Sequence, residues 1–92
     1  MKVDALYMDG GKAITFRTGE LNVTENDQWN GVFHAVDEQN LIFDAVSSKK
    51  TFDFKFETSE GTFEGPAFVS DIDSEKTENI VYIQSTGNLK QK

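Results

Sequence analysis

The chain has 92 residues, a formal net charge of −7 and no cysteine. This length allows a single domain, taken as residues 1–92, and the lack of cysteine excludes a disulfide scaffold. The acidic balance disfavours binding to nucleic acid or to an anionic membrane, because like charges repel. Asp4 and Asp9 lie where a signal peptide needs an apolar core, and no apolar run is long enough to predict a membrane span. We therefore expect synthesis and retention in a cytoplasm.

The first part of the chain predicts three short strands. Residues 5–8 and 12–17 flank the turn sequence Asp9-Gly10-Gly11 and predict a hairpin. Residues 20–25 alternate between apolar and polar side chains, which is typical of a strand with one face in solvent. Leu21 and Val23 share the inner face of this strand. The outer face carries Glu20, Asn22 and Thr24.

A polar stretch and a fourth strand follow. Residues 25–30 are polar apart from Trp29, so they indicate a loop, with Trp29 as a cap over the edge of the core or, alternatively, as a binding residue. Residues 31–36 predict a short strand that contains His34, the single histidine. No cysteine, serine or carboxylate pattern accompanies His34, so it does not indicate catalysis.

The next segment predicts the single helix, over residues 38–46. Asp37 is a good N-cap, and Lys49 and Lys50 follow where positive charge suits a helix C-terminus. A strand is the competing interpretation, and it would place Phe43 on the same face as two other apolar residues. The helix is favoured because the apolar pairs keep a 3.6-residue period. The residues on its apolar face are Leu41, Ile42, Ala45 and Val46.

Residues 51–69 predict a long hairpin that carries much of the core. Phe52, Phe54 and Phe56 alternate with polar residues and therefore share one face of a strand, which we expect to pack against the helix. Residues 59–61 form the turn, and the second run continues through residue 69. Gly65-Pro66 interrupts this run, so we expect an edge, a bulge or a close backbone approach there.

The C-terminal part predicts a polar connection at residues 70–79, a last strand at residues 80–85 and a frayed end at residues 89–92. The whole pattern predicts a mainly β protein, a small antiparallel β-sandwich or partly open barrel with one flanking α-helix. Asp71, Asp73 and Glu75 alternate as in a calcium loop, but the glycine and the distal glutamate of such a loop are missing. We therefore expect no metal, no cofactor and no enzymatic activity.

The order of elements in the second half is distinctive. A capped helix leads into a strand, a glycine turn, the stretch FEGPAFVS at residues 63–70, an acidic connection and a last strand ending in Ser85-Thr86-Gly87. In this order the chain resembles the major tail protein, or tail tube, family of long-tailed bacteriophages, which shows a similar F-x-G-x-A-x-V-S stretch. The first half is also similar, with two early strands around residues 19–21. The resemblance spans roughly residues 5–88.

The resemblance implies a structural function. Tail tube proteins form hexameric rings that stack into a conduit for phage DNA, so the implied partners are copies of this chain and other phage tail proteins. The implied location is the virion, after synthesis in the host cytoplasm, with no sequence-specific nucleic-acid binding and no membrane. Many tail tube subunits are longer, with a long early loop and a terminal arm that bridges rings, whereas the matching loop here would be residues 25–30. A minimal tube subunit, a tail-completion or hub-region protein and a shortened form all stay open.

The resemblance also implies roles for two sets of residues. In a tube, the outer face of the third strand would line the lumen, where an acidic or neutral surface avoids holding DNA. Its candidates are Glu20, Asn22 and Thr24. The early loop would contact the neighbouring subunit. Its candidates are Trp29, Asp27 and Gln28.

Two other functions are compatible with the sequence. One is a small β-sandwich module that binds a protein or a glycan through Trp29, Tyr7 and Tyr82, since aromatic side chains with polar tips are common in such contacts. The other is an acid-dependent hydrolase, although the sequence contains no recognisable motif of one. Mass measurement in solution discriminates the tail tube from the binding module, because rings favour the tube and a clean monomer favours the module.

Overall fold

A computed structural model of the chain describes residues 1–9, 11–24, 28–37, 39–74 and 78–92. Within these ranges the fold is mainly β, with eight strands in one antiparallel sheet and a single helix, which confirms the predicted fold class. In chain order the elements are β1 (Val3–Met8), β2 (Lys12–Ile14), β3 (Thr18–Val23), β4 (Trp29–His34), α1 (Gln39–Ser48), β5 (Phe52–Thr58), β6 (Gly61–Asp73), β7 (Ile80–Ser85) and β8 (Lys90–Gln91).

The sheet is rolled, and its two ends meet without closing into a barrel. The strand order is β2-β1-β5-β6-β7-β4-β3, and β8 pairs with β6 beside this path. A single bridge between Lys2 and Glu20 joins the β1 side to the β3 side, and the Leu21 N–H donates to the Met1 carbonyl oxygen at 2.8 Å. We call this contact the seam. A rolled sheet with a short seam encloses one core and is the partly open form of the predicted fold.

The core is built from aromatic rings that the strands project inward. Phe54 and Phe56 are buried and stack with ring centroids 6.2 Å apart, while the half-buried Phe52 lies edge-on to Phe54 at 6.3 Å. Phe33 on β4 stacks on Phe56 from the other side, with centroids 6.0 Å apart. The predicted inward face of β5 is therefore confirmed, and the rings link strands from both halves of the rolled sheet.

The helix forms as the 3.6-residue period predicts. Ile42 and Ala45 are buried in the core, and Phe43 is 45% exposed on the outer side, which excludes the strand interpretation. Helix α1 runs two residues further than predicted, to Ser48, and the predicted first residue, Glu38, lies outside the described residues. Lys49 follows in a left-handed conformation, and its ammonium donates to the Ser70 carbonyl oxygen at 2.8 Å. This contact fixes the helix end against β6.

Strand β6 is longer than predicted and runs through the Gly65-Pro66 pair without a break. The Pro66 carbonyl oxygen accepts a hydrogen bond from the Thr86 N–H at 3.0 Å, just beyond the end of β7. Because the N and O atoms of one strand residue face the same side, the missing Pro66 N–H costs no bond to β5. Of the predicted alternatives, the close approach is found, since a Cβ on Gly65 would lie 2.7 Å from Trp29 Cζ2.

Three predicted segments need correction. Residues 29 and 30 belong to β4 and not to a loop, and the first part of the predicted connection at residues 70–79 belongs to β6. The C-terminal residues form β8 and are not frayed, because Gln91 pairs with Phe63 and the Lys92 N–H donates to the Thr62 carbonyl oxygen at 2.8 Å. In each case a neighbouring strand supplies hydrogen bonds that local composition does not reveal.

The inward face of β3 is also only partly as predicted. Leu21 is fully buried, but Val23 at the end of the strand is 52% exposed. The predicted alternation of β3 is therefore correct, but Val23, at its last inward position, extends past the edge of the packed core.

Candidate functional site

The outer face of β3, β4 and β7 carries a group of polar side chains. Among them are Glu20, Asn22 and Tyr82, which the sequence analysis names as candidates. Two rows of cross-strand neighbours cross this face, one running Asn22–Asn30–Gln84 and the other Glu20–Val32–Tyr82. We call this surface the amide face. Its members are Glu20, Asn22, Asn30, Val32, Tyr82 and Gln84. All six are exposed or half-buried.

The alternation of strand side chains produces this face. Leu21, Gly31, Phe33 and Ile83 point into the core, and the residues between them therefore point outward. Asn22 Nδ2 donates to Asn30 Oδ1 at 3.2 Å, which links β3 and β4 through side chains. Glu20 is the single formal charge among the six members. The amide face is therefore polar, weakly acidic and without a cation of its own.

Of the predicted lumen residues, Glu20 and Asn22 lie on the solvent side of β3, and Thr24 directly follows the strand. Glu20, Asn22 and Thr24 are exposed, and Thr24 Oγ1 donates to the Gln28 carbonyl oxygen at 3.0 Å. Their assignment to a lumen stays a prediction. Sequence reasoning missed Asn30 and Gln84, although both alternate with buried neighbours in their strands. Only the pairing of β3, β4 and β7 shows that their amides continue the row begun by Asn22.

Trp29 is not a surface residue, which corrects the expectation that its side chain contacts a neighbouring subunit. It is fully buried, its indole Nε1–H donates to the Gly87 carbonyl oxygen at 2.8 Å, and its ring meets Phe56 edge-on at 5.4 Å. The interpretation of Trp29 as a cap over the core edge agrees with this position. Gln28 is exposed beside it, and Asp27 lies outside the described residues.

A groove borders the amide face where β6 pairs with β7. It has a volume of about 750 Å³, and its lining includes Asn30, Tyr82 and Gln84 together with Asp71 and Asp73. We call it the Tyr82 groove. A register shift between Val69 and Asp71 leaves Ser70 without a cross-strand neighbour, and such a bulge bends a strand.

The outer face of β1 and β5 carries Tyr7, the other tyrosine of the chain. Lys55 Nζ lies 5.4 Å from the centroid of the Tyr7 ring, and the Tyr7 hydroxyl donates to Glu57 Oε2 at 3.3 Å. The negative charge of Glu57 raises the pKa of Tyr7, because it disfavours a second anion beside it. On the same outer surface, Lys92 Nζ forms an ion pair with Glu64 Oε2 at 3.0 Å. The Lys92–Glu64 contact is an exposed ion pair of the kind that contributes little to stability.

His34 is half-buried and faces the carboxylate of Glu78. Its Nδ1 is 3.7 Å from Glu78 Oε1, and the same carboxylate is held by the guanidinium of Arg17, whose Nε donates to Oε2 at 3.0 Å. Within the described ranges no group of three or more His, Cys, Asp or Glu residues is placed to hold a metal ion. Glu75 of the suspected calcium loop lies outside those ranges. No helix in the described part of the chain is long and apolar enough to cross a membrane.

Comparison with known proteins adds no relative. No family model, no curated protein and no solved structure matches the chain. Proposals about its function therefore rest on the residues and on the geometry described above.

Proposed function

We propose that the protein is a structural subunit of a phage tail, which joins copies of itself and other tail proteins in the virion. In its simplest form the subunit assembles into hexameric rings, and the stacked rings form the conduit for DNA. The observation that carries the proposal is the amide face, a broad polar surface whose single formal charge is the carboxylate of Glu20.

The order of the elements supports the proposal. Helix α1 leads directly into β5, a glycine turn connects β5 to β6, and β7 runs on to Thr86 and Gly87. Gly61 forms this turn with a φ of 125°, a conformation that favours glycine. These are the features on which the resemblance to tail tube proteins rests.

The electrostatics of the amide face suit a surface that DNA must pass without binding. Lysine and arginine on such a surface would neutralise phosphates and hold the polyanion in place. Neutral amides and one carboxylate give no such attraction, and the repulsion from Glu20 acts within about 8 Å at physiological salt. Two cations border the face: Arg17 is held by Glu78, and Lys2 is the cross-strand partner of Glu20 at the seam.

The ends of the rolled sheet support assembly between copies. In the described part of the chain β2 pairs with β1 alone, and the seam covers β3 only as far as Leu21. The backbone of Val23 faces the same side as that of Leu21, because strand residues alternate, and it lies past the seam. Unpaired edges are where strands of separate chains join. A joint between β2 of one copy and the end of β3 of the next is head-to-tail, which generates rings or filaments.

Engineered cysteines test this joint, because the natural chain contains none. We expect the double variant Lys12→Cys/Val23→Cys, oxidised at high protein concentration, to give a ladder of disulfide-linked multimers that ends at a closed ring. Each single variant is the matched control and should give no species beyond a dimer. Negative-stain electron micrographs of the concentrated parent protein should show rings. The proposal is contradicted if the double variant stays monomeric after oxidation at high protein concentration and the micrographs of the parent show no rings.

A charge reversal on the amide face should slow DNA passage without harming the fold. Glu20→Lys changes an exposed side chain, so the free energy of unfolding should change by no more than about 0.5 kcal/mol. In reconstituted tails the new lysine should attract phosphates and slow DNA ejection, more strongly at low salt. The matched control is Glu60→Lys, the same change on the exposed β5–β6 turn. Equal ejection rates for the parent and Glu20→Lys at all salt concentrations would remove Glu20 from the lumen.

A further inference from the structure

Asn30 and Gly31 form the single Asn-Gly pair of the sequence, and both lie within β4. Asparagine before glycine is the dipeptide most prone to lose its side-chain amide, because glycine has no Cβ to hinder the peptide nitrogen that attacks the side chain. We propose that Asn30 is a site of spontaneous deamidation that the folded sheet protects, so that the modification marks chains left unfolded. The inference goes beyond the structural function and does not rest on ring formation.

The reaction needs no partner besides water. The peptide nitrogen of Gly31 gives up its proton to a base and attacks Cγ of Asn30, so that a C–N bond forms, ammonia leaves and a cyclic succinimide results. Water then opens this ring at either carbonyl carbon. Breaking the bond between nitrogen and Cγ gives aspartate. Breaking the bond to the main-chain carbonyl carbon gives isoaspartate, in which the main chain runs through the side-chain carbon atoms.

Core packing explains why glycine occupies position 31. Gly31 is buried, and a Cβ on it would lie 2.8 Å from Cε2 of Phe33. Any other residue would therefore have to displace the Phe33 ring, which stacks on Phe56 inside the core. The sheet thus requires the residue that makes Asn30 chemically labile.

The two ladders of β4 keep the reacting atoms apart in the folded chain. Asn22 and Gln84 are the cross-strand neighbours of Asn30, so the backbone there is extended and paired on both sides. Strand side chains stand perpendicular to the sheet, whereas the peptide nitrogen of the next residue lies within it. Asn22 Nδ2 also holds the amide oxygen of Asn30 toward β3. Ring closure requires the Asn30 backbone to rotate out of the extended conformation, which both ladders oppose.

The attacking nitrogen is itself engaged in the sheet. The Trp29 N–H donates to Ser85 Oγ on β7 at 3.2 Å, and backbone groups two residues apart in a strand face the same side. The Gly31 N–H therefore faces β7, where Ile83 is the cross-strand neighbour of Gly31. Opening of the seam frees β3 and leaves this ladder closed. Asn30 should thus react when β4 separates from β7, and its rate should follow global unfolding.

One product of the reaction should block refolding. Isoaspartate at position 30 lengthens the main chain by an additional carbon atom within β4, so the residues on its two sides cannot keep one register. Trp29 before it and Phe33 after it are both fully buried, and a shift in register turns one of them outward. We expect chains with isoaspartate at this position to stay unfolded, which removes them from the pool of subunits.

Peptide mapping by mass spectrometry after incubation in mildly alkaline buffer tests the inference, with the folded protein compared to the same protein in guanidinium chloride. In the denatured chain Asn30 should be modified well before Asn22 and Asn88, because Val23 and Leu89 hinder the peptide nitrogen that glycine leaves open. In the folded protein Asn30 should react at least about a hundredfold more slowly than in the denatured chain, since the unfolded fraction of a stable domain is small.

Three variants separate global unfolding from local motion. Phe54→Ala should raise the rate at Asn30 in the absence of denaturant at least about a hundredfold, because more of its chains are unfolded at any time. Phe43→Ala truncates an exposed phenylalanine of α1 and should react at the parental rate. Asn30→Gln keeps an amide and should abolish the early modification, since the longer side chain closes its ring far more slowly. Guanidinium chloride below the unfolding transition provides the same test in the parent chain.

Refolding of the incubated, denatured protein tests the consequence. After removal of the denaturant, chains with isoaspartate at position 30 should remain in the unfolded or aggregated fraction. The matched control is Asn30→Asp, which carries the new carboxylate without the additional main-chain carbon and should fold.

Three outcomes would overturn the inference: equal rates at Asn30 in the folded and the denatured protein, modification of Asn22 or Asn88 before Asn30 in the denatured chain, or refolding of isoaspartate chains as readily as the parent. Each measurement uses the unassembled protein. Failure of the cysteine variants to form multimers would therefore refute the proposed structural function and leave this inference standing.

Discussion

The variant Phe54→Ala should lose about 3–5 kcal/mol of its free energy of unfolding. Phe54 is 1% exposed and lies between Phe52 and Phe56 on the inner face of β5, where all three rings contact one another in sequence. Removing the ring loses its transfer from water and leaves a cavity that the surrounding rings fill only in part. Small domains have about 5–15 kcal/mol in total, so this single change should remove a large share.

Urea denaturation followed by tryptophan fluorescence measures this effect, because Trp29 is the single tryptophan and is fully buried in the folded chain. The matched control is Phe43→Ala, which removes the same side chain from a position that is 45% exposed on the outer side of α1. Its free energy of unfolding should stay within about 0.5 kcal/mol of the parent. A denaturation midpoint that is unchanged in Phe54→Ala would show that the inward face of β5 is wrongly assigned.

The variant Trp29→Ala should be destabilised by a similar amount, about 3–5 kcal/mol. The indole fills the space between Phe56 and the backbone of Gly65, and its Nε1–H satisfies the Gly87 carbonyl oxygen. Truncation therefore creates a cavity and also leaves a partly buried acceptor without its donor, and both effects contribute to this loss. Loss of assembly in this variant would report unfolding and not a lost contact between subunits.

Thermal denaturation followed by circular dichroism measures this second effect, since the variant lacks the fluorescent side chain. Trp29→Phe is the informative partner variant, because it keeps an aromatic ring beside Phe56 and removes the hydrogen bond to Gly87. It should unfold between the parent and Trp29→Ala. A Trp29→Ala chain as stable as the parent would mean that the indole is not part of the core.

The local periodicities of the sequence predict much of the fold. The alternation of Phe52, Phe54 and Phe56 identifies the inner face of β5, and the spacing of Ile42 and Ala45 identifies the buried side of α1. Both predictions depend on the spacing of apolar residues, because that spacing decides which side chains can be buried together in the core. The glycine turn before β6 is predicted for a similar reason, because few residues other than glycine adopt its backbone conformation.

Features that depend on distant partners are not predictable in this way. Polar neighbours suggest a loop at Trp29, yet the packing of Phe56 and Gly65 against the indole draws the residue into the core. The C-terminal residues have no apolar alternation, but β6 offers them a free edge and they become β8. Tertiary context overrides local propensity at both places.

The candidate site shows the same division. The outward row of Glu20, Asn22 and Thr24 follows from alternation within a single strand. The contributions of Asn30 and Gln84 depend on the register between β3, β4 and β7, and no local pattern encodes that register. The Tyr82 groove depends in addition on a bulge at Ser70, a serine that nothing in its sequence neighbourhood distinguishes.

The seam has a consequence for how the molecule moves. The β3–β4 and β4–β7 ladders extend over six and five residue pairs, whereas the two ends of the sheet are joined by one bridge. Proteins open locally where the fewest hydrogen bonds have to break, at a free-energy cost far below that of global unfolding. The sheet should therefore unroll at the seam while the rest of the core stays packed. Opening of the seam would expose to another chain the whole outer edge of β3 and the part of β1 that β2 does not cover.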